Sequence, residues 1–198
     1  GAEWYQEGGI MDADGHIREK EERTFSAADR IVAEVKNRTQ AAGKIILFGH
    51  SAGGQFVHRW ALLGGKKNVD VIAVANSGWF TMPDRDIDYP YGIKNVGITD
   101  EELGEAFAKP VILFMGEKDV ERKPPFRDTP EADAQGMNRM ERCTNYFRQC
   151  KAKAEELRVP FRWKLETVEG AAHQGVKMAE GAAAYIFRKS SEDGSRRM

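Results

Sequence analysis

The string Gly49-His50-Ser51-Ala52-Gly53 sets one serine among small residues, directly after the apolar run KIILF (44–48) and directly before a helix-forming stretch. A sharp strand-to-helix turn forces its central residue into a strained backbone and needs small neighbours, so that the chain can pass close by. Gly49, Ala52 and Gly53 meet that need, and the turn exposes the Ser51 hydroxyl as a nucleophile. It also puts the Ala52 N–H at a helix N-terminus, where it can donate to an oxyanion.

A serine hydroxyl needs a general base, and the base needs an acid that fixes its tautomer. In open parallel sheets such groups collect at the carboxyl ends of strands. Two apolar runs downstream end in Met115-Gly116-Glu117-Lys118-Asp119 and in Val168-Glu169-Gly170-Ala171-Ala172-His173. The expected relay is therefore Ser51, His173 and Asp119, in the chain order serine, acid, histidine. Glu117 competes with Asp119 for the acid, and Asp119 has the alternative of being a turn or capping aspartate. His16, His50 and His58 compete with His173: His16 lies in a polar segment, His50 inside the elbow facing away from the hydroxyl, and His58 two turns along the following helix. Trp79 and Phe80, in the loop Asn76-Ser77-Gly78-Trp79-Phe80 beyond the second strand, are candidates to wall a substrate pocket. The competing reading is a packed surface loop. Asp84-x-Asp86-x-Asp88 has the start of a calcium loop, but Tyr89 stands where its turn glycine belongs and Asn95 where its bidentate glutamate belongs. No pair of histidines has metal-ligand spacing, so neither metal nor cofactor is expected.

These residues need elements to hold them. Residues 1–22 show no sustained period and read as an irregular surface segment. A helix is expected from Ser26, where Ser26-x-x-Asp29 has the form of a capping box, to about Gln40, followed by a strand at 44–48. A helix from just after Ser51 to about Leu63 follows, stopped by Gly64-Gly65, then a buried strand at 69–75 and an irregular excursion at 77–98. Next come a short helix at about 99–108, a third strand at 110–115 and a long amphipathic helix from about 132 to 158. That helix carries the stripe Met137, Met140, Cys143, Phe147, Cys150, Ala154 and Leu157. A more alternating strand at 161–168 suits a sheet edge, a last helix runs from about 174 to 188, and 190–198 is expected to be a flexible tail. Strands alternating with helices of this length predict an α/β chain with a doubly wound, mostly parallel sheet in one domain, 1–198.

With GHSAGG, the ANSGWF loop, GEKD and EGAAH, the chain resembles the α/β-hydrolase superfamily from about residue 25 to residue 188. Within it, the resemblance is to bacterial esterase-like hydrolases of the polyhydroxyalkanoate depolymerase and feruloyl esterase group. The resemblance implies an α/β-hydrolase fold of eight strands with the serine after the fifth, so that the strands present here are numbers 5 to 8. The preceding strands, and the loop that supplies the second oxyanion N–H, have no counterpart in residues 1–50. An N-terminal fragment, or a second chain completing the sheet at the edge of the 44–48 strand, is therefore an expected partner.

A net charge of −1 over 198 residues, with 31% of them charged, gives no field that favours nucleic acid or an anionic membrane. No apolar run is long enough to span a bilayer. Cys143 and Cys150, seven apart on one helix, are about 10 Å from one another and cannot pair there, so buried free thiols are expected. Unpaired thiols lean toward the cytoplasm, although the compartment stays open. Together the features point to a cofactor-free serine hydrolase acting on a small carboxylic ester through an acyl-serine. Peptidase, thioesterase and lactonase chemistry use the same three residues, and a noncatalytic binding protein on this fold is the reading from another class.

Overall fold

The computed structural model describes residues 1–39, 43–64 and 69–195. Four parallel strands, β1 (Ile46–His50), β2 (Val71–Ala75), β3 (Val111–Gly116) and β4 (Lys164–Val168), pair in the order β1-β2-β3-β4. The register sets Gly49 opposite Val74, Val74 opposite Leu113, and Leu113 opposite Leu165. Each strand thus ends near the same edge of the sheet. β3 is buried along its whole length, whereas β4 alternates and closes one edge. β1 forms the other edge among the described strands. It begins and ends two residues later than expected, so Gly49 lies within it and does not terminate it.

Period-2 alternation sorts the strand residues into two cores. Ile72, Val74, Val111, Leu113 and Met115 face a large cluster with α3 (Ala52–Leu63), α4 (Asp100–Phe107) and α6 (Arg139–Glu156). Ala73, Ala75, Ile112 and Phe114 face the other way, onto Met178, Ala182 and Ile186 of α7 (Gly175–Ser195). The alanines on that side let the single covering helix lie close to the sheet. Helices on both faces of a parallel sheet are the architecture expected from the sequence.

Several element boundaries differ from expectation. The segment before β1 is not merely surface: it contains a short helix α1 (Ala2–Tyr5) and a 3-10 turn at Lys20–Glu22, and Ile10 is completely buried. α2 (Thr24–Thr39) starts two residues before Ser26, whose hydroxyl donates to the Lys20 carbonyl at 2.9 Å. Asp29 is no capping residue either, since it accepts the Trp60 indole N–H at 3.0 Å. Gln40 and Gly65 lie outside the described residues. The long helix expected over 132–158 is broken into α5 (Pro130–Asp133) and α6. Asn138 makes the break by capping α6, its side chain accepting the Glu141 N–H at 3.0 Å. Met137 consequently leaves the apolar stripe and is 54% exposed. The last helix continues past Arg188 to Ser195, because no helix-breaking residue interrupts 188–193, and 196–198 lie outside the described residues. Cys143 and Cys150 are free and buried, and burial raises both thiols well above their ordinary value. Among the described residues no helix is long and apolar enough to cross a membrane.

His58 of α3 is locked as a neutral ring inside the larger core. Its Nδ1–H donates to the Gly54 carbonyl at 3.0 Å, and its Nε2 accepts the Thr81 N–H at 3.1 Å. Complete burial, with the Arg59 charge adding to it, holds the ring well below its ordinary value of 6.5. The unfolded chain therefore takes up this proton first as pH falls. Stability is full above about pH 6.5 and falls below it, by up to about 1.4 kcal/mol per pH unit for this one group. Chemical denaturation at pH 7.5, 6.5 and 5.5 should show that slope, and a flat profile would contradict it.

Candidate active site

Ser51 follows β1 and caps α3 with φ 55° and ψ −114°, a left-handed φ that costs a non-glycine residue about 1–3 kcal/mol. The surroundings enforce it. The Ser51 N–H donates to the Ala75 carbonyl at 2.9 Å, extending the pairing with β2, while the Gln55 N–H donates to the Ser51 carbonyl at 3.0 Å. Strand and helix meet closely here: a Cβ on Gly49 would lie 2.4 Å from the Gly53 carbonyl oxygen. On Gly54 it would lie 2.6 Å from Ser77 Oγ and 2.9 Å from the Ala75 carbonyl oxygen. The steric need is thus met by Gly49 and by Gly54, which the motif alone does not single out. A Cβ on Gly53 would lie 3.2 Å from the Tyr5 hydroxyl.

The structure brings together the three residues expected from strand order. Ser51 Oγ–H donates to His173 Nε2 at 2.9 Å, and His173 Nδ1–H donates to Asp119 Oδ2 at 2.6 Å. A carboxylate only accepts, so the Asp119 contact fixes the ring with its proton on Nδ1 and leaves Nε2 free to take one. Asp119 has a 4% exposed side chain and His173 a 28% exposed one. The other candidates have other tasks. Glu117 Oε2 accepts the Gly170 N–H at 2.7 Å, which ties the loop after β3 to the loop after β4. His16 is exposed on the N-terminal segment, where Asp12 accepts its N–H. Asp12, Asp14 and His16 bring ligand atoms within 4.8 Å of one another, and these contacts are those of a solvated turn. Asp84 likewise accepts the Asp86 N–H, as a turn aspartate does.

His50 lies nearer to the relay than expected, its ring 4.7 Å from that of His173. Its Nε2 is buried without a hydrogen-bond partner. Burial and then the neighbouring His173 hold it below its ordinary value, so it remains uncharged beside a base that must accept a proton.

Two residues of the site carry no sequence signal of their own. Asn76, at the end of β2 with φ 45°, donates from Nδ2 to the Ala172 carbonyl at 2.9 Å. Its Oδ1 accepts the Gly116 N–H at 2.7 Å. One carboxamide therefore bridges the loops bearing Asp119 and His173, beside the Glu117–Gly170 contact and the Lys118 N–H that donates to the Ala171 carbonyl at 2.7 Å. A Cβ on Gly116 would lie 2.7 Å from the Ala172 carbonyl oxygen, which explains the glycine there. Arg139 of α6 occupies the other Asp119 oxygen, Nη1 to Oδ1 at 3.2 Å, and also donates to the Pro125 carbonyl at 2.7 Å. Only its position one residue after the cap of a helix facing the sheet hints at this.

A cavity of about 300 Å³ opens beside the serine, lined by Ser51, Ala52, Gln55, Trp79, Arg127 and Arg139 among others. Ala52 opens α3, whose first N–H groups have no carbonyl one turn back. Trp79 lines this cavity, its ring between the guanidinium groups of Arg59 at 4.1 Å and Arg127 at 4.6 Å. Phe80 does not line it. The strand-end loop turns Phe80 inward to stack on Tyr146 at 4.5 Å, and both its backbone groups are satisfied by the Gln135 side chain.

Replacing Asn76 with Ala should strand the buried Gly116 N–H and release the 171–173 loop, lowering stability by about 1–3 kcal/mol. Urea denaturation measures that loss, and an unchanged midpoint would show that the clamp carries no weight.

No protein-family model matches the sequence, and a search of curated proteins gives no match. Among solved structures, poly(aspartic acid) hydrolase-1 from Sphingomonas sp. KT-1 is 32% identical with a TM-score of 0.88, over 94% of this chain and 72% of that one. LpqC, a poly(3-hydroxybutyrate) depolymerase from Bordetella parapertussis, is 32% identical with a TM-score of 0.89, over 96% of this chain and 64% of that one. This chain therefore spans about two thirds to three quarters of the length of these relatives. With that identity over nearly all of its length, and a parallel sheet carrying a serine elbow, the chain belongs to the α/β-hydrolase superfamily and to its esterase-like hydrolases.

Proposed function

We propose that this protein is a serine hydrolase that cleaves a carboxylic ester through an acyl-serine intermediate. The observation that carries the reading is the continuous relay from Ser51 Oγ through His173 to the buried Asp119, with contacts of 2.9 and 2.6 Å. Ser51 Oγ attacks the acyl carbon, and its proton passes to His173 Nε2. The imidazolium so formed faces the Asp119 carboxylate, which Arg139 holds by its other oxygen. Charge on the acyl oxygen is received by the Ala52 N–H at the positive end of α3. Collapse breaks the ester C–O bond, and the leaving alkoxide takes the proton from His173. Water then enters by the same path: His173 accepts its proton, hydroxide attacks the acyl carbon, and Ser51 leaves with the proton returned.

The chemistry is complete without a metal or cofactor. One relative is named for poly(aspartic acid) and the other for poly(3-hydroxybutyrate), so the acyl group is not fixed by kinship. Peptidase and thioesterase chemistry need the same three residues and differ in the leaving group. A small ester is the proposed partner, with the open edge of β1 the place for a further strand.

Ser51→Ala should lower hydrolysis of a short p-nitrophenyl ester by roughly 10⁴-fold or more and abolish labelling by a fluorophosphonate. Asp119→Asn should leave the serine in place and reduce turnover by about 10³- to 10⁴-fold, because the ring then loses its fixed tautomer. Activity that survives Ser51→Ala would overturn the assignment. A wild-type protein that neither turns over the ester nor takes the label would instead favour a binding protein on this fold.

A further inference from the structure

The cavity beside Ser51 is lined by two arginines and no acidic residue. One of the two, Arg139, is already neutralised by Asp119. The other, Arg127, has a different environment. Its Nε–H donates to the Tyr91 hydroxyl at 2.6 Å, and that hydroxyl is itself bonded to Thr129 Oγ1 at 2.7 Å. Its guanidinium lies 4.6 Å from the centre of the Trp79 ring and 5.3 Å from that of Tyr91. One edge of the fork is thus pinned and its plane is held by stacking. The two terminal nitrogens have no hydrogen bond and no ion pair to any described residue, although the side chain is half-buried.

The neighbouring arginines use their terminal nitrogens. Arg59 donates to the carbonyls of Gln6 and Gln55. Arg122 makes a two-point contact with Asp133 at 3.0 and 2.9 Å. Arg142 reaches Gly78 and Asp133. Arg59 leaves its buried Nη2 without a partner, but Arg127 alone of this group has both terminal nitrogens unoccupied, and it lines the same cavity as the nucleophile. The exposed Glu131 is held below the ordinary range first by backbone and Thr129 hydrogen bonds, with the Arg127 charge adding to them and no bonded pair formed. A planar fork with its plane and one nitrogen fixed is preorganised for two parallel N–H···O bonds to a carboxylate. Stacking on Trp79 and Tyr91 removes the rotamer freedom that a flexible arginine would lose on binding.

We propose that Arg127 forms a carboxylate subsite in the cavity beside Ser51, so that the ester this enzyme takes bears a free carboxylate on its acyl part. The inference rests on the serine-hydrolase reading for its catalytic consequence, whereas the subsite itself is a binding claim. In outline, the terminal nitrogens of Arg127 take the two carboxylate oxygens, and the ester carbonyl lies toward Ser51 and the Ala52 N–H. Phe126 and Trp79 flank the connecting methylenes.

The test compares p-nitrophenyl hemiglutarate with neutral p-nitrophenyl valerate, which is similar in length. Wild-type kcat/KM should favour the hemiglutarate by about tenfold or more, and added salt should erode that preference. Arg127→Gln should lower the ratio of the two kcat/KM values by about ten- to a hundredfold, the span of a lost charge-assisted contact. Arg127→Lys keeps the charge and should retain part of the preference, which separates lost charge from a disturbed Trp79 wall. A ratio that Arg127→Gln leaves unchanged overturns the subsite. If wild-type protein takes no fluorophosphonate label, the serine reading fails on its own, and the subsite is read by titration calorimetry of glutarate. Binding that weakens at least tenfold in Arg127→Gln supports it. Binding that is absent, or equal in both proteins, overturns it.

Discussion

The carboxamide of Asn76 joins the two loops on which the acid and the base of the relay sit. A parallel sheet delivers the ends of all four strands to one edge, but loops leaving that edge are free to diverge. Asn76 opposes this, together with the Glu117–Gly170 contact, by donating in one direction, to Ala172, and accepting in the other, from Gly116. An aspartate could not donate, and a serine could not span both loops. The close approach is possible only because residue 116 has no Cβ. Contacts of 2.6 and 2.9 Å between three side chains from three separate loops depend on this crossing, since hydrogen bonds weaken steeply over a few tenths of an ångström.

Charge around the relay is arranged to the same end. Asp119 divides its oxygens between His173 and Arg139, so its carboxylate plane is set by two donors on opposite sides. Burial, with the neighbouring His173, holds His50 below its ordinary value, so that a second cation does not face the His173 ring. The two histidines thus differ by environment: one has a carboxylate partner, and the other has a buried nitrogen with none.

Much of this was legible in the sequence, for a definite reason. Ser51, Asp119 and His173 each lie just past an apolar run, and in a parallel sheet the end of a strand is also a position in space. The fold class follows from the same alternation of runs. What was not legible depends on partners far apart in the chain. Asn76 reads as an ordinary loop asparagine until Gly116 and Ala172 are seen beside it. Arg139 lies off the apolar stripe of the helix expected over 132–158 and reads as a solvated position. Asn138 sits in the middle of a helical period and yet breaks it, because its side chain competes for a backbone N–H. Phe80 looks like a pocket residue by composition, but Gln135 captures both its backbone groups and turns the ring into the core.

The wall of the cavity follows a different rule from its floor. The floor is backbone geometry: an elbow, a helix end and three strand-end loops, all fixed by close packing of small residues. The wall is built from rings backed by arginines: Trp79 has Arg59 and Arg127 over its ring, and Phe126 lies within 5.0 Å of Arg122, Arg139 and Arg142, although of these arginines Arg127 and Arg139 alone line the cavity. Planar cations can be packed this way because a guanidinium is weakly hydrated and can stack while its edges still bond in plane. Arg142 is fully buried on those terms, with its nitrogens on Gly78, Gly136 and Asp133. A wall of this kind stays positive where an aliphatic one would be neutral. Ser51, Asp119 and His173 are therefore held by the sheet edge, whereas Phe126 and Arg127 of the lining belong to the 122–142 segment. The two parts meet at Arg139, which lines the cavity and also holds Asp119.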